Sequence, residues 1–360
     1  MASPFSSTDF FTESLLHKLK RHPKRVVFPE ALDDRILEVA CELVRREVVL
    51  PILLGDRGKI RERMSALGLS CEFILTVDPA EASDLPLFCE RYERVERYRG
   101  NKVSNAAAVM ADPHYFGAMM VQYGQADGMV VGNRVPAAEV ARPIFHLIRP
   151  QPGVAAPFGA VIAVRQTDGP GPELMILGDC SMHPEPDAET LASFAVELGV
   201  LARQILGRSP RVALLSHSTK GSFPSASSRR VAAATALARD AASRRSVDIS
   251  IDGEIQIDVA LRPETAAHKG IDRPGLSSAD VLVFPGLDAA DISLRLLRHL
   301  GGYALYGQLL AGLSRPVAQV PRTASREQIL GTTAAIAVEA VKYHDLHLAG
   351  ELADEEESAR

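Results

Sequence analysis

The stretch SRPVAQVPRTASREQILG (314–331) sets an arginine, Arg322, between a short apolar run, Val317 to Val320, and a segment with helical spacing. Ser325 followed by Gln328 is a capping-box pattern, which predicts that the helix starts there. Helix N-termini carry unpaired N–H groups and a partial positive charge, so an arginine beside one makes an anion site. A second candidate is His217-Ser218-Thr219-Lys220-Gly221-Ser222, a small hydroxyl-rich loop after the apolar run RVALLS. Its backbone N–H groups and the Lys220 ammonium could cradle phosphate. An ordinary polar turn ahead of the next helix is the competing reading. The loop is not a P-loop, because G-x-x-x-x-G-K-[ST] is absent.

Carboxylates form a third group. Asp252-Gly253-Glu254, followed by Gln256 and Asp258, closes the strand-like run VDISIDGEI. These acids fit acid–base work or, equally, a turn and a helix cap. MILGDCSMHPEPDAETLA sets Asp179, His183 and Asp187 around two prolines. Asp187 with Thr190 three residues on reads as an N-cap. His183 stands alone and is not read as a metal ligand. Cys180 and Ser181 have no partner base at a readable spacing, so a small buried residue is expected there rather than a nucleophile. GNRVPAAEVARP carries Gly132 at a strand end and Arg142 on the helix that follows.

The elements that must hold these residues alternate along the chain. RVVF (25–28) precedes DDRILEVACELVRRE, whose Ile36, Leu37, Ala40, Leu43 and Val44 share a helical face. VVLPILLG, a helix near 57–67, CEFILTV, the strand ADGMVVG (126–132) and the helix AAEVARPIFHLI follow. After Pro150-Gln151-Pro152-Gly153 the character changes, and a domain boundary is placed near 151–154. PFGAVIAVR and ELMILGD predict an antiparallel pair joined by the turn TDGPGPE. Strand and helix patterns then alternate again through DAETLASFAVELGVLARQIL, RVALLS, a long Ala/Arg helix, VDISIDGEI, ADVLVFPG and AADISLRLLRHL. Apolar strands without clean alternation, linked by helices, imply α/β architecture with parallel sheets covered on both faces. Ligands of such sheets bind at the C-terminal strand ends, where the candidate loops lie.

Composition narrows the function classes. The chain has 360 residues, 46% of them hydrophobic, enough for one large core or two medium ones. Its 40 basic and 45 acidic residues include no long basic run, so nucleic acid is not an expected partner. Cys41, Cys71, Cys89 and Cys180 lie far apart, which indicates neither a zinc site nor a disulfide framework. MASPFSSTDFF lacks the pattern of a signal peptide, and no apolar run is long enough to cross a bilayer. A soluble, cytoplasmic protein is expected, with a frayed acidic tail ELADEEESAR. No G-x-G-x-x-G follows a strand pattern, which argues against a Rossmann dehydrogenase.

Taken in order, these stretches resemble the phosphate acetyl/butyryl transferase family from about residue 24 to 344. RVVFPEALDDRILEVA resembles its first strand and helix, and ADGMVVG with Arg142-Pro143 its ADG-x-V-x-G…LRP segment. GDCSMHPEPDAETLA resembles D-x-x-x-N-P-x-P-(D/T)-A-E, LLSHSTKGS is close to LLS-x-S-T-K-G-S, and DGEIQIDVAL to DGE-x-Q-x-D-x-A-L. VLVFPGLDAADI and LYGQLLAGLSRPV resemble two further segments in the family's order. The resemblance implies two α/β domains with mainly parallel central sheets and the active site in the cleft between them. Residues 1–153 plus 315–360 would form the first domain, discontinuous in sequence, and 154–314 the second. It also implies a homodimer that transfers an acyl group between phosphate and coenzyme A by direct thiol attack. No metal, tightly bound cofactor or acyl-enzyme is expected. Arg322 falls on the family's active-site arginine, Arg142 on a second, and Arg35 corresponds to another. On this pattern Arg322, Arg142, Ser218 and Thr219 are catalytic, while Lys220, Gly221, Ser222, Asp252, Gly253 and Arg35 bind coenzyme A.

The chain also departs from the pattern. Pro321 stands where catalytic members carry serine, so a hydroxyl and an N–H are missing beside Arg322. Loss of one donor to a developing oxyanion typically costs about 10²–10³ in rate. The family's acidic residue six positions after the arginine aligns with Gln328. Asn133-Arg134-Val135-Pro136-Ala137 replaces a hydroxyl-bearing polar run, and Ala290-Asp291 a Gly-Asn pair. The alternative these changes raise is a catalytically weak or inactive protein that binds coenzyme A or acyl-CoA for regulation.

Overall fold

Short apolar runs bounded by amphipathic helices build two compact units, residues 1–151 with 313–360 and residues 152–312. The computed structural model describes residues 10–70, 72–167, 171–271 and 278–341. Cys71, the middle of the turn read at 167–173, the first nine residues and the acidic tail lie outside the described residues.

The first unit opens with α1 (Phe10–Leu19), β1 (Lys24–Phe28), α2 (Asp34–Arg45), β2 (Val49–Leu54), α3 (Arg57–Ala66) and β3 (Leu75–Val77). It continues with α4 (Leu85–Tyr98), α5 (Ala106–Met110), α6 (Pro113–Gln122), β4 (Gly128–Val131) and α7 (Ala137–Leu147). The second unit holds β5 (Phe158–Arg165), β6 (Glu173–Gly178), α8 (Ala188–Leu206), β7 (Arg211–Leu215), α9 (Ala226–Arg244), β8 (Ser250–Ile255), α10 (Ile257–Leu261), α11 (Pro263–His268), β9 (Val281–Val283), α12 (Leu287–His299) and β10 (Ala304–Ala311). The chain then returns to the first unit through β11 (Val317–Gln319) and a helix, α13, over 326–341.

In the first unit the strands run β3-β2-β1-β4-β11, all parallel. Val26, Val27 and Phe28 of β1 and Met129, Val130 and Val131 of β4 are buried without alternation, because helices cover both faces. Ile36, Leu37, Val39, Ala40 and Leu43 form the buried stripe of α2. Helices α4, α5 and α6, which no motif singled out, occupy the chain between β3 and β4.

In the second unit β10, β5 and β6 are antiparallel, and β6-β9-β7-β8 run parallel. The antiparallel pair expected from PFGAVIAVR and ELMILGD is present as β5 and β6, in register from Val161↔Leu177 to Arg165↔Glu173. The C-terminal ends of β6, β9, β7 and β8 share one sheet edge, which brings together loops from four distant stretches of sequence. Asp187 caps α8 by accepting from the Thr190 N–H at 2.8 Å, as its spacing predicted.

Candidate active site

In the first unit, the site is assembled where β1, β4 and β11 end. Ser325 and Gln328 form the capping box: the Gln328 N–H donates to Ser325 Oγ at 3.2 Å, and the Ser325 N–H to Gln328 Oε1 at 3.0 Å. Gln328 therefore has a structural task. Ahead of this cap, Pro321, Arg322 and Thr323 are exposed. Among the described residues no hydrogen bond or ion pair holds the Arg322 guanidinium, so its donors face solvent beside a helix N-terminus.

Arg35 is committed in the opposite way. Its Nε and Nη2 form a fork on Asp33, at 3.0 and 2.7 Å. Nη1 donates to the carbonyls of Arg322 (2.9 Å) and Ala324 (2.6 Å), and Nη2 also to that of Asn133 (2.9 Å). All five N–H groups of a guanidinium are thus spent on protein acceptors. Burial alone would raise the Asp33 carboxyl, but the Arg35 fork, the Asn133 side chain and the Arg35 N–H together hold it below the usual range. The pair stays ionised and ties the loop after β4 to the loop after β11.

A second clip went unread in the sequence. Glu30, two residues past β1 and 7% exposed, accepts from the Gly132 N–H at 2.8 Å and from the Arg134 N–H. His114 Nε2 lies 3.1 Å from the same carboxylate, and its Nδ1 lies 3.4 Å from Asp112, the N-cap of α6. Burial would lower the His114 pKa, but hydrogen bonds to Asp112 and Glu30 outweigh it and raise it to about 9. Gly132 has φ +91, and a Cβ there would lie 2.7 Å from the Val320 carbonyl, so only glycine fits between these two strand ends. A carboxylate directly after an apolar strand was the one available signal for Glu30. Its partners lie 84 to 104 residues away in sequence.

Arg142 is exposed on α7. Its charge acts on the hydroxyls of Tyr92 and Tyr115, opposing the upward shift that burial gives both.

In the second unit the structure brings the other predicted residues together. Lys220 Nζ donates to Asp252 Oδ1 and to the Gly253 carbonyl, both at 2.6 Å. Lys220 and Gly221 are consecutive left-handed residues, with φ 50 and 81. Ser218 and Thr219 are buried, and their hydroxyls accept from the Phe223 N–H and the Gln256 N–H, each at 3.0 Å. The expectation that this loop offers a cradle of backbone N–H groups needs correction. Ser218 donates to Ser216 Oγ, Thr219 to Ser222 Oγ, Lys220 to the Glu254 carbonyl, and Gly221 to Glu254 Oε1. The Ser222 N–H goes to the Thr219 carbonyl. The physical reason is Glu254, 5% exposed, which needs donors for its buried carboxylate and finds one in Gly221. Of the three N–H groups of the Lys220 ammonium, two are used on Asp252 and Gly253, which leaves one to present.

Cys180 is buried, and burial pushes its thiol pKa well up, with Asp179 and Asp291 adding to the shift. A nucleophilic thiolate is disfavoured there, in line with the sequence reading. Asp291, which stands with Ala290 in place of the family's Gly-Asn pair on α12, is paired with Arg295 at 2.7 Å. Among the described residues no group of three or more His, Cys, Asp or Glu side chains is arranged to hold a metal, and no helix is long and apolar enough to cross a membrane.

The sequence profile of the family described as phosphate acetyl/butaryl transferase matches residues 10–338. A phosphate acetyltransferase of Staphylococcus epidermidis is 34% identical over 330 residues, covering 91% of this chain and 98% of that protein. A phosphate acetyltransferase of Nitratidesulfovibrio vulgaris is also 34% identical, across 92% of this chain, which spans only 46% of that longer relative. Among solved structures, the EutD phosphotransacetylase from Staphylococcus aureus superposes with a TM-score of 0.84 at 33% identity, over 92% of this chain and 98% of the other.

Proposed function

Because the chain belongs to the phosphate acetyl/butaryl transferase family, we propose that it exchanges an acyl group, acetyl foremost, between inorganic phosphate and coenzyme A. The observation that carries this reading is the free Arg322 guanidinium beside the capped start of α13, on a loop whose backbone Arg35 fixes. Acyl phosphates are dianionic, and arginine is suited to bind them through paired donors. Arg322, with Arg142 as the second cation, holds the phosphoryl group and steadies it as it leaves. The coenzyme A thiol attacks the acyl carbonyl directly in a ternary complex, and no covalent acyl-enzyme is formed. The Lys220 ammonium and the Ser222 hydroxyl, with Asp252 and Gly253 behind them, serve coenzyme A, while Gly221 shapes the turn and the buried Ser218 and Thr219 hold that loop in place. Arg35 acts as a strut rather than as a ligand. Coenzyme A is a substrate, no cofactor stays bound, and the protein works as a cytoplasmic homodimer in acetate metabolism.

The test mixes purified protein with coenzyme A and acetyl, propionyl or butyryl phosphate and follows thioester formation. The reading expects turnover with all or some of these and the highest kcat/KM for acetyl phosphate. No thioester from any of the three, while coenzyme A or acyl-CoA still raises Tm, would overturn it in favour of a binding protein.

A further inference from the structure

The loop after β6 carries a pairing that the account above leaves unused. Asp179 is 3% exposed. Its carboxylate accepts from the N–H groups of Gly159, Ser181 and His183 at 2.8–2.9 Å and of Met182 at 3.2 Å. Oδ2 also takes the ring Nδ1 of His183 at 2.7 Å. A carboxylate fixed this way sets the tautomer of its histidine: Nδ1 holds the proton and Nε2 presents a lone pair. The ring is braced by Phe194, 5.0 Å between centroids, and the side chain is 26% exposed. Among the described residues nothing hydrogen-bonds Nε2. The loop itself is anchored, since the Leu287 N–H at the start of α12 donates to the Pro184 carbonyl. Gly286 packs so closely there that a Cβ would lie 2.6 Å from that carbonyl. This loop leaves the same sheet edge as the Ser216–Phe223 loop, with β9 between β6 and β7.

A thiol near neutral pH is mostly protonated, so attack on an acyl phosphate needs a base. Gln328, engaged in its capping box, is not one. We propose that His183, oriented by Asp179, is the general base for the coenzyme A thiol, an inference that rests on the acyl-transfer reading above. As sulfur bonds to the acyl carbon, the S–H proton passes to Nε2. The C–O bond to phosphate breaks and its electron pair leaves with the phosphate. The imidazolium then returns the proton to the departing phosphate, which leaves as hydrogen phosphate, and no other reactant is required.

His183→Asn and His183→Gln keep an N–H that can still reach Asp179, which protects the loop. General bases contribute about 10²–10⁴ in rate. In thioester formation from acetyl phosphate, both variants are expected to lose at least about 10² in kcat, with KM for acetyl phosphate little changed and Tm near that of the wild type. Added imidazole should restore much of the His183→Asn rate and leave the wild type unaffected. A kcat within threefold of wild type would overturn the proposal, as would a loss in a well-folded variant that imidazole does not repair. Wild-type protein without turnover would instead sink the acyl-transfer reading itself.

Discussion

Arg35 tests whether a site arginine binds ligand or braces the site. Replacing it with alanine deletes the fork on Asp33 and three bonds to the carbonyls of Asn133, Arg322 and Ala324. Hydrogen bonds from a charged donor are worth about 1.5–3 kcal/mol each. The Arg322 carbonyl sits in an exposed turn and recovers water, so it contributes little to the loss. The Asp33 side chain is 10% exposed and keeps the cap from the residue-35 backbone N–H, at 3.0 Å, and the neighbouring Asn133 side chain. Breaking a buried ion pair costs about 3–5 kcal/mol, and the partial exposure of Arg35 places the expected loss at the lower end, about 3 kcal/mol. For a protein of this size that corresponds to a fall in Tm of roughly 5–10 °C. Arg35→Lys keeps the charge but not the fork, so about half of that loss is expected. Steady-state kinetics separate the roles. A strut predicts that Arg35→Lys lowers kcat by roughly tenfold, because Arg322 rides on a loosened loop, and leaves KM for coenzyme A nearly unchanged. An unchanged Tm with a tenfold higher KM for coenzyme A would refute the reasoning and return the guanidinium to the ligand.

Pro321→Ser restores a hydroxyl and an N–H beside Arg322, and kcat for acetyl phosphate is expected to rise by about tenfold or more; an unchanged or lower kcat means this chain does not lack that donor. For His114 the folded pKa, about 9, lies above the ordinary 6.5. Its stabilising contribution is therefore complete below pH 6.5 and is lost as pH rises through 9, amounting to about 3 kcal/mol. Urea unfolding at pH 6 and pH 10 should show a stability drop in wild type that exceeds the drop in His114→Gln by roughly that amount. Ser325→Ala should cost about 1 kcal/mol through loss of the cap on α13, measured by the same unfolding curves.

What the sequence made legible was local. The capping box of Ser325 and Gln328, the Asp187 cap and the β5–β6 pairing depend on residues a few positions apart or on two apolar runs flanking a Gly/Pro-rich segment, and each appears in the structure. The loops gathered at strand ends were readable because α/β sheets place them there. What stayed hidden depends on partners far along the chain. The family resemblance places Arg35 with coenzyme A, because the sequence gives no sign of its acceptors, up to 289 residues away. Glu254 looked like an acid–base candidate because sequence gives no sign that it takes the Gly221 N–H, 33 residues earlier. Glu30 passed unnoticed because a carboxylate after a strand is common, and only the fold shows it gripping Gly132 and Arg134. The longer-range the hydrogen bond, the less the spacing of residue types reveals it.

On the proposed function, Arg322 anchors the acyl phosphate in an acyl transferase that works without the serine before it. The most direct measurement is kcat/KM for acetyl phosphate, by thioester formation with coenzyme A, in wild type and in Arg322→Ala. The guanidinium is exposed and makes no bond to the described residues, so the variant should fold with an unchanged Tm. Measurable wild-type turnover is expected, with a loss of about 10³ or more on removing the arginine. A folded variant that keeps its kcat/KM within tenfold would contradict it.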